Sequence, residues 1–292
     1  MNHPHTQSTL EERVLVTGPG THRARTQPSA SPRVVRHEAA KLAAGYSRTR
    51  HVVNALGLAV FVCVAAWVGW HVFSRPLGVI SLAGGLLAGW VLADFAAGAI
   101  HWAGDTWGRP SWPVIGGAVV RSFREHHVDP LAITRHGYVQ LLGEQAIAAA
   151  PLLAVLHSFD PVDGDEWGTV LLIGAYTLAV ATTATNIFHR WAHMRTPPLV
   201  ARWLQRMGIL ISFKHHAQHH GAPHLRCYCI AIGWLNPLLD STRFWRALEW
   251  LVWKVTGALP REDDLGHDAA LGILRRNQGV HATPVARDHA GL

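Results

Sequence analysis

Five histidines fall within ten residues in the stretch Ile211-Ser-Phe-Lys-His-His-Ala-Gln-His-His-Gly-Ala-Pro-His224. On a helix, His216, His219 and His220 would share one face, because residues three and four apart sit one above another, and His215 would flank it. Ordinary packing has little use for so many half-polar rings side by side. Metal coordination has a direct use, since neutral imidazole binds iron, zinc and copper well.

Three further groups have ligand character. His101 and Asp105 are one helical turn apart, His126 and His127 are adjacent, and His189 and His193 again stand one turn apart. These exceed what one ion needs, and two ions with about four to six ligands each would use them. Carboxylates are scarce, so the pattern is not that of the soluble di-iron bundles built on Glu-x-x-His. A nearly all-imidazole pair of irons at a membrane surface is the pattern of membrane desaturases and hydroxylases. A lone histidine at a span end is ordinarily an interfacial residue, which is the reading for His71 and His157. His136 and His224 read as hydrogen-bond partners or substrate contacts.

The elements that must carry these groups are apolar. Of 292 residues, 49% are hydrophobic and 15% charged, with thirteen Trp against four Tyr; soluble domains are nearer about a quarter charged. Four runs approach the roughly 20 residues that cross a hydrocarbon core: Val52–Phe73, Leu77–Ile100, Val139–His157 and Trp167–Phe188. The second is rich in small residues (Gly84, Gly85, Ala88, Gly89, Ala96, Ala97, Gly98), which favour close helix approach. It also carries Asp94, an expensive group in a span and by default a functional one. The third is the weakest candidate because it contains Glu144 and Gln145. The expected fold is therefore an all-α integral membrane protein with four transmembrane helices and interfacial amphipathic helices. Residues 1–50 are expected to form a disordered basic tail without the features of a signal peptide, 51–258 the membrane domain, and 259–292 a mobile C-terminal tail.

Charge orients the spans. The net charge is +7, and Lys and Arg crowd the N-terminal tail, the 102–138 segment and everything after His189. The loops at 74–76 and 158–166 carry only Arg75 between them. The positive-inside rule then places both termini and all the histidine groups on the cytoplasmic side. Leu199, Val200, Trp203, Leu204, Met207, Leu210 and Ile211 read as one apolar face of an interfacial helix, with Arg202 and Arg206 opposite. The stretch Phe244–Val255 repeats the theme, with Trp245, Trp250 and Trp253 at headgroup level. Cys227 and Cys229 read as packing residues, and the basic residues border apolar spans, which disfavours nucleic acid.

The motifs Asp94-Phe-x-x-Gly98-x-x-His101-Trp-x-x-Asp105-Thr-Trp-Gly, Phe123-Arg-Glu-His126-His127-x-Asp129-Pro-x-x-Ile-Thr-Arg-His136, Asn186-x-x-His189-x-Trp-x-His193 and Lys214-His-His-x-x-His219-His220, with Gly233-Trp-Leu-Asn-Pro237, resemble the Kua-type lipid desaturase family. The resemblance covers about residues 80 to 255. That family includes enzymes that form the vinyl ether of plasmalogens from plasmanylethanolamine and a plant plastid enzyme that desaturates an acyl chain of phosphatidylglycerol. It implies a di-iron enzyme with O2 as co-substrate, acting on intact phospholipid. Carried over by position, the metal ligands are His101, Asp105, His126, His127, His189, His193, His215, His216, His219 and His220, with Asp105 and His136 as catalytic candidates.

On that reading two hydrogens leave adjacent carbons beside the glycerol linkage, with the headgroup held near Arg202 and Arg206. No Gly-x-Gly-x-x-Gly follows a strand, so electrons come from an external redox protein, cytochrome b5-like or ferredoxin-type. In a bacterium the location would be the cytoplasmic membrane. Acyl-chain desaturation, lipid hydroxylation and membrane metal handling are the competing readings. The absence of His-Glu-x-x-His disfavours a zinc protease.

Overall fold

The computed structural model describes residue 40 and residues 46–277 apart from 114, 163 and 222. Among these the chain is helical, with no strand. The helices are α1 (Arg48–Phe73), α2 (Val79–Trp107), α3 (Arg121–Val128, continuing a π-helical turn at Gly116–Val120), α4 (Ala132–Arg135), α5 (Tyr138–Leu156), α6 (Glu166–His193), α7 (Leu199–Arg206), α8 (Phe213–His216), α9 (Asn236–Ser241), α10 (Phe244–Thr256), α11 (Glu262–Leu265) and α12 (His267–Asn277).

Four of them, α1, α2, α5 and α6, are long and apolar enough to cross a membrane. Even the shortest, α5 with 19 residues, spans about 28 Å at 1.5 Å per residue. Their outer faces are bare of partners: Trp70 is 77% exposed and Ile80 77%. An apolar surface of that kind is stable against lipid and a liability in water. Ser47 caps α1 by accepting the Arg50 N–H at 3.2 Å. Asp165 caps α6 by accepting from Gly168 at 2.8 Å.

The bundle is assembled pairwise, α1 on α5 and α2 on α6, with α5 also against α6. Small residues set the α2–α6 distance, as the spacing in the second run suggested. A Cβ on Gly89 would lie 2.4 Å from the Gly174 carbonyl oxygen. At one end Arg75 pairs with Asp160 and reaches Pro161 O, tying the two short loops together. The histidine-bearing ends of α2 and α6 lie at the other.

There a loop folds back into the protein. Cys227 to Gly233 are all buried, which is costly for a segment without ladder hydrogen bonds unless its polar groups find partners. Asp94 is that partner. Its carboxylate accepts the N–H groups of Ala231 (2.8 Å), Ile232 (3.0 Å) and Gly233 (2.9 Å). Asn236 completes the anchor, accepting from Cys229 N and donating to Cys229 O, both at 2.9 Å. Asp94 is thus structural: it pins a loop, and the buried charge that suggested function is balanced by backbone dipoles.

Several expectations are corrected. α7 covers only Leu199–Arg206; Leu199, Val200, Trp203 and Met207 are exposed, while Leu210 and Ile211 turn into the core. Trp245 is in the core against Trp102 and Tyr228 rather than at a headgroup surface. Trp250 and Trp253 pack on Leu259, Ala270 and Leu274. Residues 259–277 therefore do not begin a mobile tail. They form α11 and α12 and bring Arg261 to Glu249, where two ion-paired hydrogen bonds (2.9 and 2.7 Å) join a buried cluster with Arg246. The rest of that expected tail, and nearly all of the expected N-terminal one, lies outside the described residues.

Candidate metal centre

Each ligand group is placed by a helix end or a turn. α2 presents His101 and Asp105 one turn apart, both buried. α6 presents His189 and His193 in the same way. α3 supplies His126 and His127. The His-rich stretch is not one continuous helix: α8 stops at His216, and the chain tightens into turns in which Gln218 N–H bonds His215 O (3.1 Å) and His219 N–H bonds His216 O (2.9 Å). This tightening still points His216, His219 and His220 inward together.

Two clusters result. His126, His189, His193, His216 and His220 form one, and His101, His126, His127 and His219 the other, with the candidate ligand atoms of each within 4.8 Å of one another. Asp105 joins the second, its oxygens 3.3 Å from His101 Nε2, 3.1 Å from His127 Nε2 and 3.3 Å from His219 Nε2. His126 belongs to both.

The nitrogen spacing tests whether hydrogen bonds alone explain this packing. His216 Nε2 lies 2.9 Å from Nε2 of His189, 2.9 Å from that of His193 and 3.1 Å from that of His220. A neutral ring nitrogen can share one proton with one neighbour, not with three. Nitrogens bound at about 2.1 Å to a common ion stand roughly 3.0–3.4 Å apart in adjacent positions. Nδ1 and Nε2 of His126 are both buried without a hydrogen-bond partner among the described residues. Inward lone pairs at ligand spacing, with orphaned polar atoms beside them, fit a pair of metal ions.

Protonation agrees. Burial, then the neighbouring histidines, holds His126 and His216 well below the usual imidazole range. The same causes push His220 down to about 2. These rings are neutral at ordinary pH, the form that ligates. The tautomer of His219 is set by its Nδ1, which donates to the Arg226 carbonyl at 3.0 Å and leaves Nε2 facing the cluster.

Two expected residues fall elsewhere. His215 is in neither cluster; its ring sits over Gly233, with Nε2 3.3 Å from the Asn236 side chain. Its neighbour on the short helix turns inward while it turns toward the anchored loop. His136 is in neither cluster; it lies 3.5 Å from Glu125, which also pairs with Arg121 at 3.1 Å, and it lines a cavity with His126 and His189. His224, by contrast, closes on the site: its ring centroid is 4.2 Å from that of His127, and its Nδ1 donates to His219 O at 3.0 Å. Burial lowers it to about 4. Cys227 and Cys229 stand in neither cluster, and burial against Asp240 pushes the Cys227 thiol up to about 12.

A cavity of about 190 Å³ reaches the clusters at His126 and His189. Ile100, Phe123, Ile133, Leu141 and Ala148 give it apolar walls, and Tyr46, Arg121, His136, Gln140, Glu144, Gln145 and Asn186 give it polar ones. Arg202 and Arg206 do not line it, so the headgroup position expected there is not where the cavity lies. Glu144 and Gln145, which made α5 the weakest span, line the cavity on one helical face together with Gln140. Their i, i+4, i+5 spacing was visible in the sequence; what it faced was not.

A helical bundle with four helices long and apolar enough to span a membrane, a buried histidine-lined site that could hold metal and a cavity reaching that site defines a class, and the comparisons agree. Residues 90–263 match the lipid desaturase domain, and the chain belongs to that family. It is 36% identical over 255 residues to a plasmanylethanolamine desaturase of Myxococcus xanthus, covering 87% of this chain and 90% of that one. It is 38% identical over 189 residues to plasmanylethanolamine desaturase 1 of Mus musculus, covering 62% and 68%. It is also 38% identical over 177 residues to the chloroplastic fatty acid desaturase 4 of Arabidopsis thaliana, covering 60% and 52%. No solved structure matches it.

Proposed function

We propose that this protein is an O2-dependent di-iron desaturase that forms the vinyl-ether double bond of plasmalogens from a plasmanylethanolamine lipid. The observation that carries the reading is the pair of histidine clusters, sharing His126, that a cavity between the helices reaches at His126 and His189. The near full-length likeness to the Myxococcus enzyme favours the ether substrate. The likeness to the Arabidopsis enzyme keeps an ester-linked acyl chain as the second reading.

Iron in the clusters would supply the oxidation, with O2 and two electrons converting –CH2–CH2– to –CH=CH– and two protons being taken up to give two waters. His189, His193, His216 and His220 would hold one ion, and His101, Asp105, His127 and His219 the other, with His126 between them. The chain's own part is to keep these donors neutral and dry, to fix the His219 tautomer and to hold the lipid's first carbons against His126 and His189. Electrons come from a separate one-electron carrier, cytochrome b5-like or ferredoxin-type. The site and both termini face the cytoplasm, a reading that rests on the distribution of Lys and Arg.

Lipid mass spectrometry tests this. The chain is expressed in a bacterium lacking plasmalogens and supplied with an alkyl-ether lysolipid and a donor, beside a His219→Ala control. An acid-labile product two hydrogens lighter, absent from the control, is expected. An acid-stable double bond in an ester-linked chain would install the acyl reading. An added oxygen, or no change with iron bound, would remove both.

A further inference from the structure

The cavity wall on α5 holds Glu144, a carboxylate that the metal centre does not use; its partner Arg50 comes from α1, stands behind the lining residues and also donates to the Gly117 carbonyl. Glu144 stands six residues inside the start of α5, about 9 Å below it at 1.5 Å per residue. His101 stands six residues from the end of α2, at comparable depth. The Glu144 carboxylate lies 3.4 Å from Arg50 Nε, with each side chain 22% exposed. Asn54, on α1 one turn beyond Arg50, donates to Tyr46 at 3.3 Å. Gln140 and Gln145, on the same face of α5, line the cavity beside Glu144.

The other acid here is closed. Glu125 is 2% exposed and engaged by Arg121 on one oxygen and His136 on the other. Glu144 differs: it lines the cavity, is 22% exposed, and meets Arg50 at 3.4 Å. The cavity is smaller than the roughly 300–1,000 Å³ that encloses a drug-sized ligand. It therefore takes only the polar end and first carbons of a lipid. The remaining chain leaves past Ile100 and Ala148, which line the cavity and are themselves exposed on the outer face.

We infer that Glu144 and Arg50 form the headgroup subsite and select a zwitterionic phosphoethanolamine: the ammonium binds Glu144, and the phosphate binds Arg50. Inserting a zwitterion into an ion pair leaves every charge partnered. A phosphoglycerol headgroup offers Glu144 no cation, so the carboxylate would face a phosphate with its arginine drawn away. This rests on the desaturase reading for its choice of lipid, but it is tested without turnover.

Metal-free protein in detergent is titrated with an alkyl-lysophosphoethanolamine and, separately, an alkyl-lysophosphoglycerol of equal chain length. The wild type is expected to bind the amine lipid about tenfold more tightly. Glu144→Gln should bring the two affinities within about twofold, while Glu144→Asp keeps most of the preference. Arg50→Gln should weaken both lipids yet preserve the order, which covers the case in which Glu144→Gln does not fold. Equal binding by the wild type, or an undiminished preference in a folded Glu144→Gln protein, overturns the subsite. If the preference follows Glu144 and no lipid is desaturated, the subsite stands and the desaturase reading falls.

Discussion

His126 is the side chain on which both clusters depend. It is 4% exposed, and neither ring nitrogen has a hydrogen-bond partner among the described residues. Replacing it by Ala is expected to lower iron from about two per chain to below one, measured by elemental analysis of purified protein. His215→Ala should leave iron near the wild-type level, because its ring lies against Gly233 and Asn236 instead. The opposite pattern would reverse the ligand assignment.

The buried rings also set a pH response. An unfolded histidine takes up a proton near pH 6.5, whereas His224 does so near about 4 and His220 near about 2 in the folded protein. Their lowered values mean that the unfolded state binds more protons as pH falls. The stability of the metal-free protein is therefore full above about pH 6.5 and declines progressively from there toward pH 4 and below. Melting temperatures in detergent at stepped pH should fall across that window, and a flat profile from pH 7 to 4 would contradict neutral burial.

At the scale of elements, the site is assembled by the α2–α6 contact, since those two helices carry four of the ligands. Gly89 allows it. A methyl there meets the Gly174 carbonyl at 2.4 Å and Thr177 Cβ at 2.6 Å, neither of which is the end of a flexible side chain. Gly89→Ala should cost about 1–3 kcal/mol through overpacking and lower iron occupancy with it. Gly137→Ala, with nothing within 4 Å of the new methyl, is the control and should leave both unchanged. Thermal stability and iron content measured together check both. The loop pinned by Asp94 is a second such device, because it carries Tyr228 to within 5.2 Å of the His219 ring.

Across the whole molecule, the protein divides along the spans. One end holds Arg75 paired with Asp160 of the loop before α6, and the other holds the clusters, the cavity's polar rim and the C-terminal helices. The proposed orientation, with both ends of the chain cytoplasmic, predicts that a green fluorescent protein fused after Leu292 fluoresces. Alkaline phosphatase inserted at Asp160 should be active in a bacterial host. The reverse result would invert the topology and place the donor on the other face.

The sequence by itself determined the four spans, the local pairing of ligands and the family. Those features are short-range or compositional: a run of about 20 apolar residues and a histidine one turn from another need no partner to be recognised. Tertiary structure alone decided which candidate ligands gather in which cluster. His126 joins both clusters and His215 neither, although each has a histidine as its immediate neighbour in the chain. It also decided that Asp94 anchors a loop, that Arg261 is buried, and that Glu144 faces a cavity instead of merely weakening a span. Each of these depends on which surface a helix face or loop meets, and those contacts join residues as far as 155 positions apart, as between Thr106 and Arg261. Periodicity reports that a face exists, and only packing shows what it faces.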